Sequence, residues 1–388
     1  MKDLLFVCCS MGKGGVSKSL ASLLCCIDYS KYNVDLFLFS KSGLFLEQVP
    51  PEVHILDELP SPYSLLKKGR VFTFTKWALS VIICKSITSL EKKWRVYWIL
   101  NKSRYPLSSK RYDVGISYND GVELYYLVDR VDAIEKIGYN HIQYTNVLTY
   151  KPNLDSIYYK EVNYIVTVSD LCAVDLKNVF PDMSSKIRVV ENIVLKEQLW
   201  KMAGNEDPYV KIGVDRNSYV IVCTVAGLFL RKGFDFSSAA LRKMKDEGKT
   251  FKWFILGTGP EQEQVQSIIR QSGIEKDTVF MYEQKNPYKY VRYADIFLLT
   301  SHAEGKSIAV EEAKLLEKPI LITRYSTADN QIEHGKSGLI ADMNIESVTN
   351  ELRKLFDNKQ LCESLSSYLK SNCHSNKEEN LMRLYALL

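Results

Sequence analysis

The sequence lacks the features that mark metal-binding, redox-active and disulfide-rich proteins. Its nine cysteines are odd in number and include the adjacent pairs Cys8–Cys9 and Cys25–Cys26, but none stands in the Cys-x-x-Cys spacing of zinc and redox sites. No Asp-x-Asp pair, a common holder of divalent cations, occurs in the chain. We therefore expect reduced, mostly buried thiols and no cofactor.

Long apolar runs and short repeats are also missing. The N-terminal run from Leu4 to Cys9 breaks at glycines and lacks the small-residue cleavage site of a secretory signal. The run from Trp77 to Cys84 is too short to span a bilayer. Without a repeat of short period, we do not expect a solenoid. We expect a cytoplasmic protein that begins with a buried strand.

The chain has the length and composition of a folded protein with more than one domain. Of its 388 residues, 46% are hydrophobic and 25% are charged. Apolar runs of strand length alternate with segments of helical period, which is typical of parallel sheets covered by helices. A polar stretch near residues 193–210 interrupts this alternation. We predict an α/β fold with Rossmann-like domains at 1–195 and 196–370, and a C-terminal helix at 371–388 able to pack back on the first domain.

The first strand is followed by a glycine-rich loop, GKGGVSKS, at residues 12–19. Such a loop before a helix is a phosphate-binding geometry, because glycines permit close approach and the helix start offers free N–H groups. In one interpretation, residues 13–19 resemble the deviant P-loop of partitioning-type ATPases, with Lys18 and Ser19 as phosphate and magnesium ligands. Ser17, however, stands where that loop has glycine, and no apolar strand ending in aspartate follows to hold the metal's water shell.

In a second interpretation, Gly14 and Gly15 form a turn that lines a cleft between two domains. A tight turn without any ligand is the third interpretation, and the loop alone does not separate the three. A noncatalytic nucleotide-binding protein also remains open at this point.

The second half carries the most specific motif. The segment ADIFLLTSHAEGKSIAVEEAKLLEKPILIT, from Ala294 to Thr323, resembles family 4 of the retaining glycosyltransferases, in which a strand-end Glu precedes a helical Glu by seven intervening residues. Here these are Glu304 and Glu312. LGTGP at 256–260 and RKGFD at 231–235 stand in the family's order. The sequence EGKSIAVEEAK most resembles the corresponding segment of family members that assemble bacterial capsular or exopolysaccharide chains.

The resemblance implies the GT-B fold, two Rossmann-like domains facing across a cleft. It also implies transfer of a hexose or a related sugar, with retention, from a nucleoside diphosphate, for which we expect UDP, to a growing glycan that we expect to be lipid-linked. Lys232 would stabilise the leaving phosphate. Glu304 would hold the donor sugar's hydroxyls, and Glu312 those of the ribose. The residues that would bind the donor are Gly14, Gly15, Arg231, Lys232, Gly257, Gly259, Tyr282, Gly305, Lys306, Ser307, Ile308 and Glu312.

Several of these assignments follow from position. The N–H groups of residues 306–308 open a helix and would receive diphosphate oxygens. Gly257 and Gly259 would turn near the nucleotide, and the loop from Tyr282 to Asn286 would contact the base. One departure concerns a second cation: the family has Arg after a glycine shortly before the Lys-Gly pair, and Gly227 stands there instead. Arg231 either replaces this cation or belongs to an exposed basic turn.

In the first half, KIGYNHIQYTN at 136–146 resembles the strand and loop of related enzymes whose histidine faces the donor sugar. His141 matches that histidine, although a lone histidine can also be structural. The resemblance implies a same-face displacement in which the departing phosphate accepts the acceptor's proton, so that no protein base is assigned. Because no Asp-x-Asp pair is present, we predict metal-independent catalysis.

Residues 67–111 are dense in Lys and Arg, with Glu91 as their single acid, and aromatic and aliphatic side chains are interleaved. This composition suits contact with an anionic bilayer at the inner face of the membrane. A pair of amphipathic helices with a solvated basic face explains it equally well. No recognisable nucleic-acid-binding module is present, so a nucleic-acid partner is not predicted.

Overall fold

The computed structural model describes residues 1–12, 14–67, 69–146 and 151–388. The chain divides into two compact units. The first contains Met1–Ile193 and Lys377–Leu388, and the second contains Val194–Asn376. Each unit is a parallel β-sheet with helices packed on it, so the predicted fold class of two Rossmann-like α/β units is confirmed.

The first unit has a seven-stranded sheet in the order β3-β2-β1-β4-β5-β6-β7. Its strands are β1 (Lys2–Cys8), β2 (Tyr32–Leu38), β3 (His54–Ile55), β4 (Tyr112–Ser117), β5 (Ala133–Asn140), β6 (Tyr164–Thr167) and β7 (Ile187–Val189). Its helices are α1 (Gly15–Leu24), α2 (Pro62–Lys67), α3 (Val71–Ser86), α4 (Leu90–Asn101), α5 (Val122–Arg130), α6 (Pro152–Lys160) and α7 (Asp170–Val179). Residues 4–8 of β1 are a continuous apolar run, as expected where helices cover both faces of a parallel sheet.

The second unit begins with α8 (Lys196–Ala203) and α9 (Pro208–Lys211), and its six-stranded sheet has the order β10-β9-β8-β11-β12-β13. The strands are β8 (Val220–Val225), β9 (Phe251–Leu256), β10 (Thr278–Tyr282), β11 (Ile296–Leu299), β12 (Ile320–Thr323) and β13 (Leu339–Ala341). The helices that follow are α10 (Phe234–Asp246), α11 (Gln262–Gln271), α12 (Tyr288–Tyr293), α13 (Ile308–Leu315), α14 (Ile345–Asp357) and α15 (Lys359–Asn372).

In each sheet, successive strands of the chain are added on one side and then on the other. The change of side falls between β1 and β4 in the first unit and between β8 and β11 in the second. In open α/β sheets, ligands bind outside the carboxyl ends of the strands at this switch point, because the loops on either side diverge there. We therefore expect ligand contacts at the loops after β1, β4, β8 and β11.

The last helix, α16 (Lys377–Tyr385), belongs to the first unit. The Tyr385 ring stacks on Tyr32 with centroids 5.3 Å apart, and its hydroxyl accepts a hydrogen bond from the Asp28 N–H at 2.9 Å. The Asn380 side-chain oxygen accepts from the Glu191 N–H at 2.8 Å. The chain thus returns to the first unit after completing the second.

Candidate functional site

The loops after β8 and β11 are tied together at the switch point of the second sheet. The Thr300 hydroxyl donates to the Gly233 carbonyl at 2.5 Å, and the His302 N–H donates to the Arg231 carbonyl at 2.8 Å. These bonds bring together residues that lie about seventy positions apart in the sequence. The RKGFD segment at 231–235 and Glu304 consequently belong to one local site.

At the centre of this site, Lys232 and Glu304 form an ion pair. The Lys232 Nζ lies 2.5 Å from the Glu304 Oε1, and the two side chains are 15% and 9% exposed. The Ser301 hydroxyl donates to the same carboxylate oxygen at 2.7 Å. A cation and a carboxylate, both largely shielded from water, thus stand at the carboxyl edge of the sheet, where electrostatic interactions are stronger than in bulk solvent.

The helix α13 begins directly after this pair, as the motif predicted, with Ser307 in the capping position. The Ser307 N–H donates to the Gln331 Oε1 at 3.0 Å, and the Gln331 amide donates back to the Ser307 carbonyl at 3.0 Å. One of the three N–H groups predicted to meet a diphosphate is therefore occupied by a side chain. Gln331 is a site residue that the sequence analysis missed, because nothing in local periodicity connects it with α13.

Glu312 lies on the same helix and is 4% exposed. Its carboxylate is hydrogen-bonded to the Tyr288 side chain at the start of α12, and burial together with this carboxylate raises the pKa of Tyr288. The seven-residue spacing of the two glutamates thus places Glu304 beside a cation and Glu312 beside a buried phenol. The two carboxylates have different environments, which suits different ligand contacts.

Glycines allow the loops of this site to touch backbone to backbone. Gly257 has a φ of +147° and donates its N–H to the Tyr282 carbonyl at 2.8 Å, and a Cβ on it would lie 1.9 Å from the Ala226 oxygen. A Cβ on Gly259 would lie 2.3 Å from the Leu228 oxygen. The Tyr282 ring beyond them is 47% exposed, with a φ of +51°. It therefore offers an aromatic face at the carboxyl end of β10.

Replacing Gly233 by alanine is expected to destabilise the second unit by about 3 kcal/mol or more, because a side chain there adds overpacking to left-handed strain. Gly233 has a φ of +68°, and its Cβ would lie 1.7 Å from the Thr300 oxygen. Gly213→Ala is the matched control, with a φ of +81° and no atom within 4 Å of its Cβ. Urea denaturation followed by tryptophan fluorescence should show the larger loss for Gly233, and equal losses would contradict the predicted contact.

Arg231 differs from its neighbour Lys232 because its side chain is exposed. The guanidinium lies over the Phe229 ring, 5.4 Å from the centroid. Beside it, His302 Nε2 lies 3.3 Å from Asp235 Oδ1. Arg231 is thus an accessible cation at the rim of the site, and both interpretations of it from the sequence stay open.

In the first unit, Gly14 precedes α1 and Gly15 opens it, whereas Lys13 of the P-loop interpretation lies outside the described residues. The Ser19 side chain is 2% exposed. Its hydroxyl donates to the Asn192 Oδ1 at 2.6 Å and bonds to the Tyr118 hydroxyl at 2.8 Å. Because this hydroxyl points into the unit and is engaged, its geometry does not suit a magnesium ligand of a P-loop.

His141 follows β5 and is half-buried. Its Nε2 lies 3.1 Å from the Tyr118 carbonyl oxygen, and its ring packs on Tyr118 and Tyr139 with centroids 4.8 and 5.6 Å away. Burial lowers the pKa of His141 to about 4, so that the imidazole is neutral at neutral pH. The ring can therefore position or hydrogen-bond a group, but it carries no charge.

A buried charge cluster near the end of β4 also escaped the sequence analysis. The Lys151 Nζ lies 3.0 Å from the Asp155 Oδ2, and Tyr125 and Tyr144 each donate a hydroxyl to this aspartate at 2.5 Å. Burial raises the pKa of the neighbouring Glu123 to about 7. The polar run after the apolar strand DVGIS was the available signal, but it does not reveal the burial.

The basic segment 67–111 contains α3 and α4, and its Lys68 lies outside the described residues. Phe72, Leu79 and Ile82 are 73%, 47% and 67% exposed, and their spacing places them along one side of α3. Lys76 lies over the Phe72 ring at 4.5 Å. Among the described residues, no helix has the length and hydropathy needed to cross a bilayer.

Comparison with known proteins finds similarity mainly in the second unit. Residues 209–372 match the family model described as Glycosyl transferases group 1. The putative colanic acid biosynthesis glycosyltransferase WcaL of Escherichia coli is 31% identical over 132 residues, covering 32% of each chain. The amylovoran biosynthesis glycosyltransferase AmsK of Erwinia amylovora is 30% identical over 128 residues, covering 31% of each chain. An uncharacterized glycosyltransferase, MJ1059 of Methanocaldococcus jannaschii, is 22% identical over 48% of this chain.

The matched part spans only 31% to 44% of these curated relatives' lengths. Solved structures match over the whole chain. Anabaena HepE in complex with UDP and glucose has a TM-score of 0.73 at 15% identity, covering 100% of both chains. WaaG, a glycosyltransferase involved in lipopolysaccharide biosynthesis, has a TM-score of 0.66 at 12% identity, covering 99% of this chain and 98% of its own. The chain therefore has the GT-B fold of these solved structures, and its residues 209–372 are similar to the family model Glycosyl transferases group 1.

Proposed function

We propose that the chain is a glycosyltransferase that moves a sugar from a UDP-linked donor to a growing surface polysaccharide, with retention of configuration and without a metal. The observation that carries the proposal is the shielded pair of Lys232 and Glu304 at the switch point of the second sheet. The names of WcaL and AmsK, which refer to colanic acid and amylovoran biosynthesis, support a polysaccharide product. HepE, solved with UDP and glucose, supports the donor.

In this proposal the ammonium group of Lys232 exchanges its ion pair with Glu304 for an ion pair with the leaving diphosphate. Sugar transfer breaks the bond between the anomeric carbon and a phosphate oxygen, and the developing negative charge must be stabilised. Lys232 and the start of α13 supply positive electrostatic potential there. Glu304, released from Lys232, accepts hydrogen bonds from the sugar's hydroxyls.

The acceptor hydroxyl attacks the face from which the diphosphate leaves. Its oxygen forms the new bond to the anomeric carbon, and its proton passes to the departing phosphate oxygen. The proposal therefore needs no protein base. His141, which is neutral, is assigned a contact with the donor sugar, and Tyr282 a contact with the base.

A thermal-shift panel of UDP, GDP, ADP and their sugar conjugates tests the donor assignment. Ligands that bind only the folded state raise the Tm, so UDP and UDP-sugars should stabilise the protein equally with and without excess chelator. NMR of the product then gives its anomeric configuration. Loss of turnover in chelator and on Lys18→Ala would favour the P-loop ATPase instead, and nucleotide binding without release from any activated sugar would favour a noncatalytic protein.

We further propose a lipid-linked acceptor and contact of the α3 face with the cytoplasmic side of an anionic membrane. The α3 face comprises Phe72, Lys76, Leu79, Ile82 and Lys85. Its apolar side chains can enter the interfacial region while the lysines meet lipid phosphates, which is the balance that holds peripheral helices on a bilayer.

The double variant Phe72→Ser and Ile82→Ser is expected to bind vesicles of phosphatidylglycerol and phosphatidylcholine roughly tenfold more weakly, because two apolar side chains no longer leave water. Cosedimentation measures this. Ile212→Ser, at an isoleucine of the second unit that is 50% exposed, is the control and should bind as the wild type does. If the double variant also binds as the wild type does, the α3 face is not the contact surface.

A further inference from the structure

A pocket of about 300 Å³ lies at the amino edge of the second sheet. Its lining includes Arg292, which stands shortly before β11, and Lys318, which stands shortly before β12. The strands of this sheet are parallel, so residues that precede them lie at the opposite edge from residues that follow them, such as Lys232 and Glu304. The pocket has the size of a small-molecule site and is separate from the proposed donor site.

Positive charge dominates the lining of this pocket. Arg292, Lys318 and Lys370 are its cations. One acid, Glu317, lies among the described lining residues, and its carboxylate is paired with the Lys196 ammonium at 3.2 Å. The three lining cations therefore lack a carboxylate of their own within the described lining. Cations that converge on a concave site raise the local concentration of anions.

The guanidinium group of Arg292 is held in place and still has donors to offer. It lies over the Trp200 ring, 4.5 Å from the centroid, and its Nη1 donates to the Gly204 carbonyl. The Trp200 indole N–H is fixed in turn by the Leu315 carbonyl at 2.9 Å. Within the described part of the chain, Nε and Nη2 of Arg292 have no acceptor. A guanidinium stacked on an aromatic ring loses little entropy when it binds phosphate oxygens.

The ammonium group of Lys318 is partly buried and is only partly satisfied. It donates to two backbone carbonyls around the end of α12, at 2.5 and 3.4 Å, which leaves one of its three N–H groups. Burial lowers the pKa of Lys318 to about 8. Asp295 and Glu317 oppose this effect, whereas Arg216 and Arg292 add to it. An anion in the pocket would stabilise the charged form of this lysine.

Helix α15 supplies donors from another side. Ser366 and Lys370 are one turn apart and line the pocket together with Ser367. In the residues that the structure describes, these three side chains take part in no hydrogen bond or ion pair. Donors thus reach the pocket from α12, from the residue before β12 and from α15. A tetrahedral oxyanion can accept from several directions at once, whereas a carboxylate offers two oxygens in one plane.

We propose that this pocket binds a phosphate group, either free in solution or carried by a lipid, at a second site distinct from the donor site. Capping of helix ends accounts for the bonds that Arg292 and Lys318 already make. It does not account for Lys370, for the two serine hydroxyls or for the remaining donors of the guanidinium. The proposal does not depend on sugar transfer, so its failure would leave the proposed function untouched.

NMR of protein labelled with ¹⁵N-tryptophan locates the bound phosphate. The sequence has five tryptophans, and Trp200→Phe identifies the indole signal of residue 200. Trp200 lines the pocket and contacts Arg292, whereas Trp253 is 0% exposed in the core of the same unit. Inorganic phosphate, added at constant ionic strength, should shift the Trp200 signal until it saturates and should leave the Trp253 signal in place.

Variants of the lining test the charges. Lys318→Gln should weaken phosphate binding about tenfold, because a charge-assisted hydrogen bond is lost while the amide can still donate to a backbone carbonyl. Lys370→Gln should weaken it about threefold, because this lysine is exposed. Lys359→Gln is the matched control: Lys359 lies on the same helix, is 90% exposed and is about 16 Å from Lys370 along the axis. It should bind phosphate as the wild type does.

Cosedimentation with vesicles of phosphatidic acid and phosphatidylcholine distinguishes the two sources of phosphate. The Phe72→Ser and Ile82→Ser variant serves as the background, so that the α3 face contributes little. If Lys318→Gln weakens vesicle binding in this background, the phosphate belongs to a lipid head group. If it does not, and inorganic phosphate shifts the Trp200 signal, the ligand is a free phosphate.

Two results would overturn the proposal. One is a Trp200 signal that phosphate does not move, together with vesicle binding that the lysine variants leave unchanged. The other is wild-type affinity for phosphate in both Lys318→Gln and Lys370→Gln, which would place the bound anion elsewhere. Should Lys318→Gln fail to fold, the exposed Lys370 still decides the question, because its replacement disturbs no contact within the described residues.

Discussion

Replacing Lys232 by alanine is expected to lower kcat for sugar transfer about a hundredfold to a thousandfold, the usual cost of removing one preorganised group that stabilises transition-state charge. Lys232 is 15% exposed and stands at the carboxyl edge of the second sheet beside Glu304. Its charge acts mostly on the diphosphate as the bond breaks, so kcat should fall more than the affinity for UDP. Initial rates with a saturating UDP-sugar measure the effect.

Arg231→Ala is the matched control, because it removes a cation of the same turn that is exposed and packed on Phe229. Water and salt screen an exposed charge, so we expect a loss of less than about tenfold that shrinks at high ionic strength. If Arg231→Ala cost as much as Lys232→Ala, Arg231 would be the second phosphate cation that the family's missing arginine normally supplies. If Lys232→Ala kept its rate, the proposed charge stabilisation would be wrong.

The sequence predicted the parts of the fold that depend on short-range patterns. The apolar strands and amphipathic helices are recognisable from the periodicity of their hydrophobic residues, and alternation of strands and helices implies parallel sheets. The spacing of Glu304 and Glu312 placed the start of α13, because a strand, a short loop and a helix occupy a nearly fixed length. The close approach of RKGFD to Glu304 followed from the family resemblance, since the pattern alone says nothing about which strands are neighbours.

What the sequence could not supply are contacts between distant segments and the burial that they cause. Gln331 reaches the capping serine of α13 from a loop 24 positions away, and Ser19 meets Asn192 across 173 positions. Glu123 is a charged residue in an amphipathic helix, and only the packing around it raises its pKa to about 7. Such properties arise from tertiary structure, which hydrophobic periodicity does not encode.

Glu304→Gln is expected to reduce kcat/KM for the donor about a hundredfold while leaving the affinity for free UDP within a few-fold of the wild type. The amide keeps the shape of the carboxylate but loses the charge, and hydrogen bonds to a charged acceptor are roughly twice as strong as neutral ones. If Glu304 grips the sugar, its loss affects the UDP-sugar and not UDP alone. Calorimetric titrations with UDP and with a UDP-sugar, combined with initial rates, separate the two ligands.

Glu311→Gln provides the comparison, since Glu311 lies on α13, is 17% exposed and forms an ion pair with Lys314 at 3.1 Å. Glu311 also accepts a hydrogen bond from the Gln331 amide at 2.9 Å, and the side-chain oxygen of glutamine can still accept this bond. Losing this ion pair alone should change the rate by less than about threefold. If Glu304→Gln lost as much affinity for UDP as it lost in kcat/KM, Glu304 would contact the nucleotide and not the sugar. An unchanged kcat/KM would mean that the carboxylate of Glu304 makes no contact with the sugar in the transition state. The ion pair between Glu304 and Lys232 would then be structural.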